Sequence, residues 1–255
     1  MTKIFSFWLT TWFSAAICTY IFYQPSHQLA YTLYLPELFH PLGFDSFGRD
    51  LLLLTLQASF LSASFALSIC LLSCISGMTL GTMICFFPKK IQFLCLRAIE
   101  FMLSFPSLLL ALAWAAIFGP GWSTLFFALA IGTIPSFVRL CYLRSQEVMA
   151  EEFVLASTSM GASPISILSK HLLPTVFRLC SIKIPNLFAH ALLAEATLSF
   201  LGVGAPVGRD TWGSLLAQGQ DYLIEAPHIA FGVGIPLVIT IISLQKLSET
   251  MSEIS

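Results

Sequence analysis

Charge is scarce in this 255-residue chain: Asp, Glu, Lys and Arg together make up 10% of it, against about 25% in an ordinary soluble domain. With 57% hydrophobic residues and a mean hydropathy of +0.86, it has too little polar surface to cover itself in water. Lipid is its expected solvent. The formal net charge is −1, so no basic excess points to nucleic acid. Period-two alternation is missing, which argues against a transmembrane β-barrel. No internal repeat or low-complexity run is present. Common catalytic signatures are missing as well: no G-x-x-x-x-G-K-[ST], no H-E-x-x-H, no G-x-S-x-G. The five histidines are scattered without zinc spacing. Neither enzyme activity nor a metal or cofactor bound by this chain is expected.

Cysteine is present but not where a disulfide framework would put it. Cys18, Cys70, Cys74, Cys85, Cys95, Cys141 and Cys180 all lie in or beside apolar segments, and read as small packing residues. The first apolar segment is too long for a signal-peptide core and has no clear small-x-small cleavage site. It reads as an uncleaved anchor.

Four stretches carry no charge at all: 10–36, 51–88, 101–138 and 226–245. A spanning helix takes about 20 mostly apolar residues, and crossings are predicted at about 5–23, 58–87, 93–118, 122–143, 180–203 and 226–246. The expected fold class is an all-α polytopic membrane protein with six transmembrane helices. If both termini are cytosolic, ten basic residues, among them Lys3, Lys89, Arg97, Arg144, Lys170 and Lys246, fall at the inner side, and only Arg49 and Arg209 fall outside. That asymmetry sets the orientation.

The expected parts are an N-terminal anchor over 1–24, an outer loop over 25–56, a membrane domain over 57–247 and a cytosolic tail over 248–255. Pro25, Pro36 and Pro41 break helix in the first outer loop. Gly119-Pro120-Gly121 is a second outer turn. A third outer segment spans about 204–225, with Trp212 and Tyr222 suited to the interface. Pro88-Lys89-Lys90 is a tight inner turn.

The large inner loop, 144–175, is the most polar island. Glu147, Glu151 and Glu152 suit a helix start, where the dipole favours anions. Gly161 suits the left-handed residue after a helix, and Ser163-Pro164 an N-cap and first helical position. Leu173-Pro174 is predicted to close that second helix. The product is helix, glycine turn, helix, lying across the membrane face.

That loop resembles the EAA loop of ABC-transporter import permeases: Glu-Ala-Ala, three residues, Gly, nine residues, then hydrophobic-x-Leu-Pro. Here Leu155-Ala156-Ser157 is followed by three residues, Gly161, nine residues and His171-Leu172-Leu173-Pro174. Leu155 stands where the motif has Glu, and Ser157 where it has its second Ala. Asp45-Ser46-Phe47-Gly48-Arg49-Asp50 is similar to the D-x-x-G-R-D segment of dipeptide, oligopeptide and nickel permeases. So are Phe105-Pro106-Ser107-Leu108, Gly119-Pro120-Gly121, the run from Glu195 to Gly202, and Trp212-Gly213-Ser214. The tail after Leu244 lacks that subfamily's acidic-basic ending. Over about 44–240 the chain resembles the C-type permease subunit of such an importer.

The resemblance implies a type I import-permease fold and a bacterial inner-membrane protein forming half of a pathway for short peptides. Expected partners are a sister permease, one or two cytosolic ATPases carrying ATP-Mg, an extracytoplasmic solute-binding protein and the bilayer. A nickel or other small-solute importer, or a stand-alone secondary transporter, are the alternatives. Leu155, Ala156, Ser157, Gly161, Ala162, Leu173 and Pro174 would form the loop that docks on an ATPase; otherwise the loop is an amphipathic linker. Glu195, within a crossing, is either a pathway or gate residue or a hydrogen-bonding strut. His190 is off its helical face. Asp45, Gly48, Arg49 and Asp50 either meet the binding protein or gate the outer mouth, or form a solvated turn whose ion pair contributes little.

Overall fold

The structure, a computed structural model, describes residues 2–23, 31–204 and 209–254. Pro25 and part of the third outer segment, 205–208, lie outside these. Among the described residues the chain is helical: α1 (Thr2–Phe22), α2 (Leu51–Ile84), α3 (Lys89–Leu103), α4 (Ser107–Phe118), α5 (Trp122–Met149), α6 (Glu152–Ser159), α7 (Pro164–Ile167), a π-turn (Leu168–Leu172), α8 (Leu173–Ser181), α9 (Ile184–Phe200), α10 (Trp212–Asp221) and α11 (Pro227–Ile254).

Four of these, α1, α2, α5 and α11, are long and apolar enough to cross a bilayer alone. Two bent pairs bring the candidate spans to as many as six by length and composition: α3 with α4, bent by 80°, and Pro164–Ser181 with α9, bent by 58°. The third predicted crossing, 93–118, is therefore not one helix. Pro106 lacks an N–H and pushes the residue before it out of the helical region, so the chain breaks at 104–106 and restarts at Ser107.

Other boundaries also move. α2 starts at Leu51, not 58, because Asp50 caps it: the carboxylate accepts from the Leu53 N–H, capping the first turn. α5 runs on to Met149, taking Glu147 into its last turn, where Arg144 Nη1 donates to it at 2.7 Å. α11 continues to Ile254, so most of the expected tail is helix.

Helices α2 and α5 form the spine of the bundle. Gly77 and Gly81 let them touch: an added Cβ would lie 2.5 Å from the Phe137 ring at the first and 2.7 Å from the Cys141 Cβ at the second. Two apolar clusters flank this seam. One, holding Leu51, Leu125, Leu192, Trp212 and Val233, sits toward the end where α2 begins. The other, holding Cys70, Cys141, Val154, Leu172 and Cys180, sits toward the end where α5 finishes. Cys70 and Cys74 are buried packing residues, as their spacing suggests. α1 lies outside, held where Trp8 Nε1 donates to Thr240 Oγ1 and Gln57 Nε2 donates to the carbonyls of Thr19 and Tyr23.

Candidate functional site

Two constructions stand out, one at each end of the bundle. At the end where α5 finishes, Glu151 leads into α6 and the helix stops at Ser159. Gly161 follows at φ +85°, the left-handed conformation that spares glycine a Cβ clash. Its N–H bonds the Thr158 carbonyl at 3.0 Å, and the Ala162 N–H bonds that of Ser157 at 3.1 Å. Ser163 Oγ then accepts from the Ser166 N–H, and Pro164 takes the first helical turn. The glycine turn and the Ser-Pro start therefore lie where the spacing puts them.

Leu173-Pro174 behaves differently. The second helix does not close there; it widens into the π-turn and continues through α8 to Ser181. The wider turn accommodates a proline that has no N–H to donate.

The knob is anchored on one side only. Val154, Ile167, Leu172 and Val176 are buried in the cluster that holds Cys70, Cys141 and Cys180. Its other face presents Phe153 and Leu155, about half exposed, with Met160 82% and Ile165 77% exposed. Ala156 and Ser157 are also accessible, and Ser157 Oγ turns back onto the Phe153 carbonyl. Leu155, where the motif has a carboxylate, adds apolar surface. The result is a bare apolar ridge on a short, tightly turned segment.

At the opposite end, Asp45-x-x-Gly48-Arg49-Asp50 is a built latch, not the solvated turn that composition allows. Gly48 takes φ +68°, and its N–H bonds the Asp45 carbonyl at 3.1 Å. The Asp45 carboxylate accepts from the N–H groups of Phe47 and Arg49 at 2.9 and 2.8 Å, and from Arg49 Nε at 2.7 Å. Arg49 Nη1 donates to Asp210 Oδ2 at 2.7 Å, and Gln218 Nε2 donates to Asp210 Oδ1 at 3.2 Å. Side-chain exposure is 12% for Arg49 and 3% for Asp45, so the pair escapes the solvent screening that makes surface pairs weak. His40 Nδ1 meets Asp50, and His228 Nε2 donates to the Phe44 carbonyl.

Glu195 lies between this latch and the core and is fully buried. Its Oε1 accepts from Ser199 Oγ at 2.8 Å; the hydroxyls of Ser62 and Thr211 lie near the carboxylate, but among the described residues its Oε2 has no hydrogen-bond donor. Ser62 Oγ in turn accepts the Trp212 N–H at 3.0 Å. Thr211 caps α10, exchanging bonds with Ser214. Trp212, expected at a membrane interface, is instead fully buried. Gly213 allows this: its Cβ would fall 2.2 Å from the Ala196 carbonyl oxygen. Asp210, Gln218 and the whole seating of α10 were not singled out by the sequence. A polar pair spaced eight apart in a short segment carries little signal until the fold brings Arg49 to it.

Residues 75–251 match a family profile described as the binding-protein-dependent transport system inner membrane component. The di/tripeptide transport system permease protein DppC of Pseudomonas aeruginosa is 31% identical over 212 residues, covering 83% of this chain and 70% of that protein. The glutathione transport system permease protein GsiD of Pectobacterium atrosepticum is 28% identical over 218 residues, covering 86% and 72%. In three dimensions, a chain of the MetNI methionine ABC transporter, solved in an inward-facing conformation, superposes with a TM-score of 0.61. It covers 79% of this chain and 96% of its own length at 16% identity, a likeness of fold.

Proposed function

The chain belongs to the family of binding-protein-dependent transport system inner membrane components, and from that premise we propose that it forms half of the pathway of an ATP-driven importer of short peptides. The observation that carries this is the knob around Gly161. A ridge of Phe153, Leu155, Met160 and Ile165 held out on a rigid turn suits docking into an apolar groove of a separate ATPase. Motion received there passes into α5, which the knob follows directly, and into α8, into which α7 continues through the π-turn. ATP-Mg belongs to the partner, since this chain carries no phosphate-binding loop.

The sister permease supplies the other half of the pathway, and an extracytoplasmic binding protein delivers the peptide to the latch end. Both termini and the Gly161 knob face the cytosol in this reading, as the basic residues predict. The names of the relatives support a peptide substrate over nickel. A stand-alone ion-coupled transporter would rely on Glu195, and its enclosure between α2, α9 and α10 favours the ATP-driven reading.

The test is affinity purification of the tagged chain in mild detergent with mass spectrometry of its companions, beside uptake of a labelled tripeptide by membrane vesicles. Recovery of a second permease and an ATPase, with ATP-dependent uptake, supports the proposal. A folded chain that purifies alone and moves peptide without ATP overturns it.

A further inference from the structure

The Phe105-Pro106-Ser107-Leu108 motif has no part in the knob or the latch, yet it breaks a span near mid-depth. Two registers against α5 fix that depth. Tyr142, toward the knob, donates its hydroxyl to Gln92 of α3 at 3.2 Å. Ser107, at the start of α4, packs on Gly132, where an added Cβ would meet the Ser107 Cβ at 2.9 Å. Gly132 is ten residues along α5 from Trp122, about 15 Å at the helical rise, and the hydrocarbon core is about 30 Å thick.

At that depth the backbone is short of partners. Ser104 N–H turns back to the carbonyls of Glu100 and Phe101, and the N–H groups of Leu109 and Leu110 share the Pro106 carbonyl. Among the described residues, nothing in the chain accepts from the N–H of Ser107 or Leu108, and no side chain caps α4. On α5 a second, independent feature faces the same place. Pro135 lies inside the helix and has no N–H, so the Ile131 carbonyl loses its usual helical donor. Ile131, Gly132, Ser136, Phe105, Pro106 and Ser107 all border one cavity of about 280 Å³. Residues 104–108 are exposed on this chain.

Bare backbone at membrane depth persists only where protein covers it or water reaches it. Broken helices that present unpaired main-chain groups beside a cavity are how a membrane protein holds a polar solute at mid-depth. We propose that the α3–α4 break and the Pro135 stretch of α5 line the aqueous pathway, and that their unpaired groups hydrogen-bond the main chain of a passing peptide. The N–H groups of Ser107 and Leu108 donate to a peptide carbonyl or terminal carboxylate; the Ile131 carbonyl accepts from a peptide N–H. The hydroxyls of Ser107 and Ser136 serve either role. Contacts made by main-chain atoms to main-chain atoms are indifferent to the peptide's side chains, which suits a carrier of varied sequences. This inference rests on the peptide-importer reading.

Single cysteines test it in the assembled importer in membrane vesicles: Ser107→Cys and Ser136→Cys, on two different helices, against Leu109→Cys. Leu109 is 61% exposed on α4 but does not border the cavity. A charged, membrane-impermeant methanethiosulfonate is applied, and labelling is read above that of the parent chain, whose exposed thiol is Cys18. The expected result is labelling at 107 and 136 at least ten times faster than at 109, slowed several-fold by millimolar trialanine. Labelling at 107 and 136 as slow as at 109 overturns the aqueous lining. Fast labelling that trialanine does not slow overturns the peptide contact. Uptake of radiolabelled trialanine by the unsubstituted importer is measured beside it. Its absence, with fast labelling, overturns the peptide reading and leaves the water-lined break standing.

Discussion

Arg49 and Asp210 stand 161 residues apart in sequence and meet at 2.7 Å. Each leads into a helix: Arg49 sits just ahead of α2, and Asp210 just ahead of α10. The guanidinium has Asp45 on its other edge, also at 2.7 Å. Its planar fork of donors lets one side chain satisfy two carboxylates in different directions. The contact therefore ties the seating of α10 to the start of the longest helix in the bundle.

Arg49→Ala leaves the buried Asp45 and the partly buried Asp210 without their cation, and is expected to cost about 3 kcal/mol of stability. Arg49→Lys should lie between that and the parent, because one ammonium cannot reach both carboxylates in the same geometry. Thermal unfolding of the purified chain in detergent measures both. Equal midpoints for parent and Arg49→Ala would show that the latch contributes nothing to the fold.

The latch also shows how far the sequence is readable. Asp45, Gly48 and Arg49 announce a turn, because an Asp followed three residues later by Gly fits a local side-chain-to-backbone pattern. What the turn is for is not local: Asp210 and Gln218 arrive from the far end of the chain. The Gly161 turn and the Ser163-Pro164 cap were legible for the same local reason. Pro174 was misread as a helix end, since a π-turn that absorbs a proline depends on how Leu172 and Val176 pack. Trp212 was misread through composition: an amphipathic ring suits an interface, but the small residues Gly213 and Ala196 opened a slot for it in the core.

Glu195→Gln keeps an acceptor for Ser199 and a similar shape, and is expected to remain folded with α10 seated. Glu195→Leu strands the Ser199 hydroxyl in the core, at about 1–3 kcal/mol, and removes the carboxylate beside Ser62 and Thr211, which hold the N–H groups of Trp212 and Ser214. Limited proteolysis at the latch end separates the two. Faster cleavage near α10 in Glu195→Leu, with a parent-like pattern in Glu195→Gln, is the expected result. Identical patterns in all three chains would mean that the carboxylate does not hold α10.

Gly161→Val changes conformation without a clash, since a Cβ at this position meets nothing within 4 Å. The whole effect comes from φ +85°, which costs an ordinary L-residue about 1–2 kcal/mol and a β-branched one more. The variant should insert and stay folded while uptake falls tenfold or more, because the ridge is re-aimed. Gly161→Asn should lose far less, since Asn visits this conformation readily. Uptake rates normalised to membrane-inserted protein decide it, and equal rates for Val and Asn would remove the turn from the mechanism.

Ile165→Asp asks whether the ridge binds at all. Ile165 lies beyond the glycine turn on α7 and is 77% exposed, so a carboxylate there is solvated and the fold of the chain is undisturbed. In a complex, the same carboxylate would be buried in an apolar groove without a partner, which costs more than the lost apolar contact alone. Central apolar contacts of an interface each carry about 2 kcal/mol or more, and that corresponds to about a 30-fold loss of affinity. Phe153→Asp, on the other arm of the knob, should act in the same direction. Each substitution is read by the amount of ATPase retained on the tagged chain after washing, with thermal unfolding as the control for folding. Loss of the ATPase from both variants at an unchanged unfolding midpoint puts the docking surface on both sides of Gly161. Full retention by both moves the docking surface off the knob.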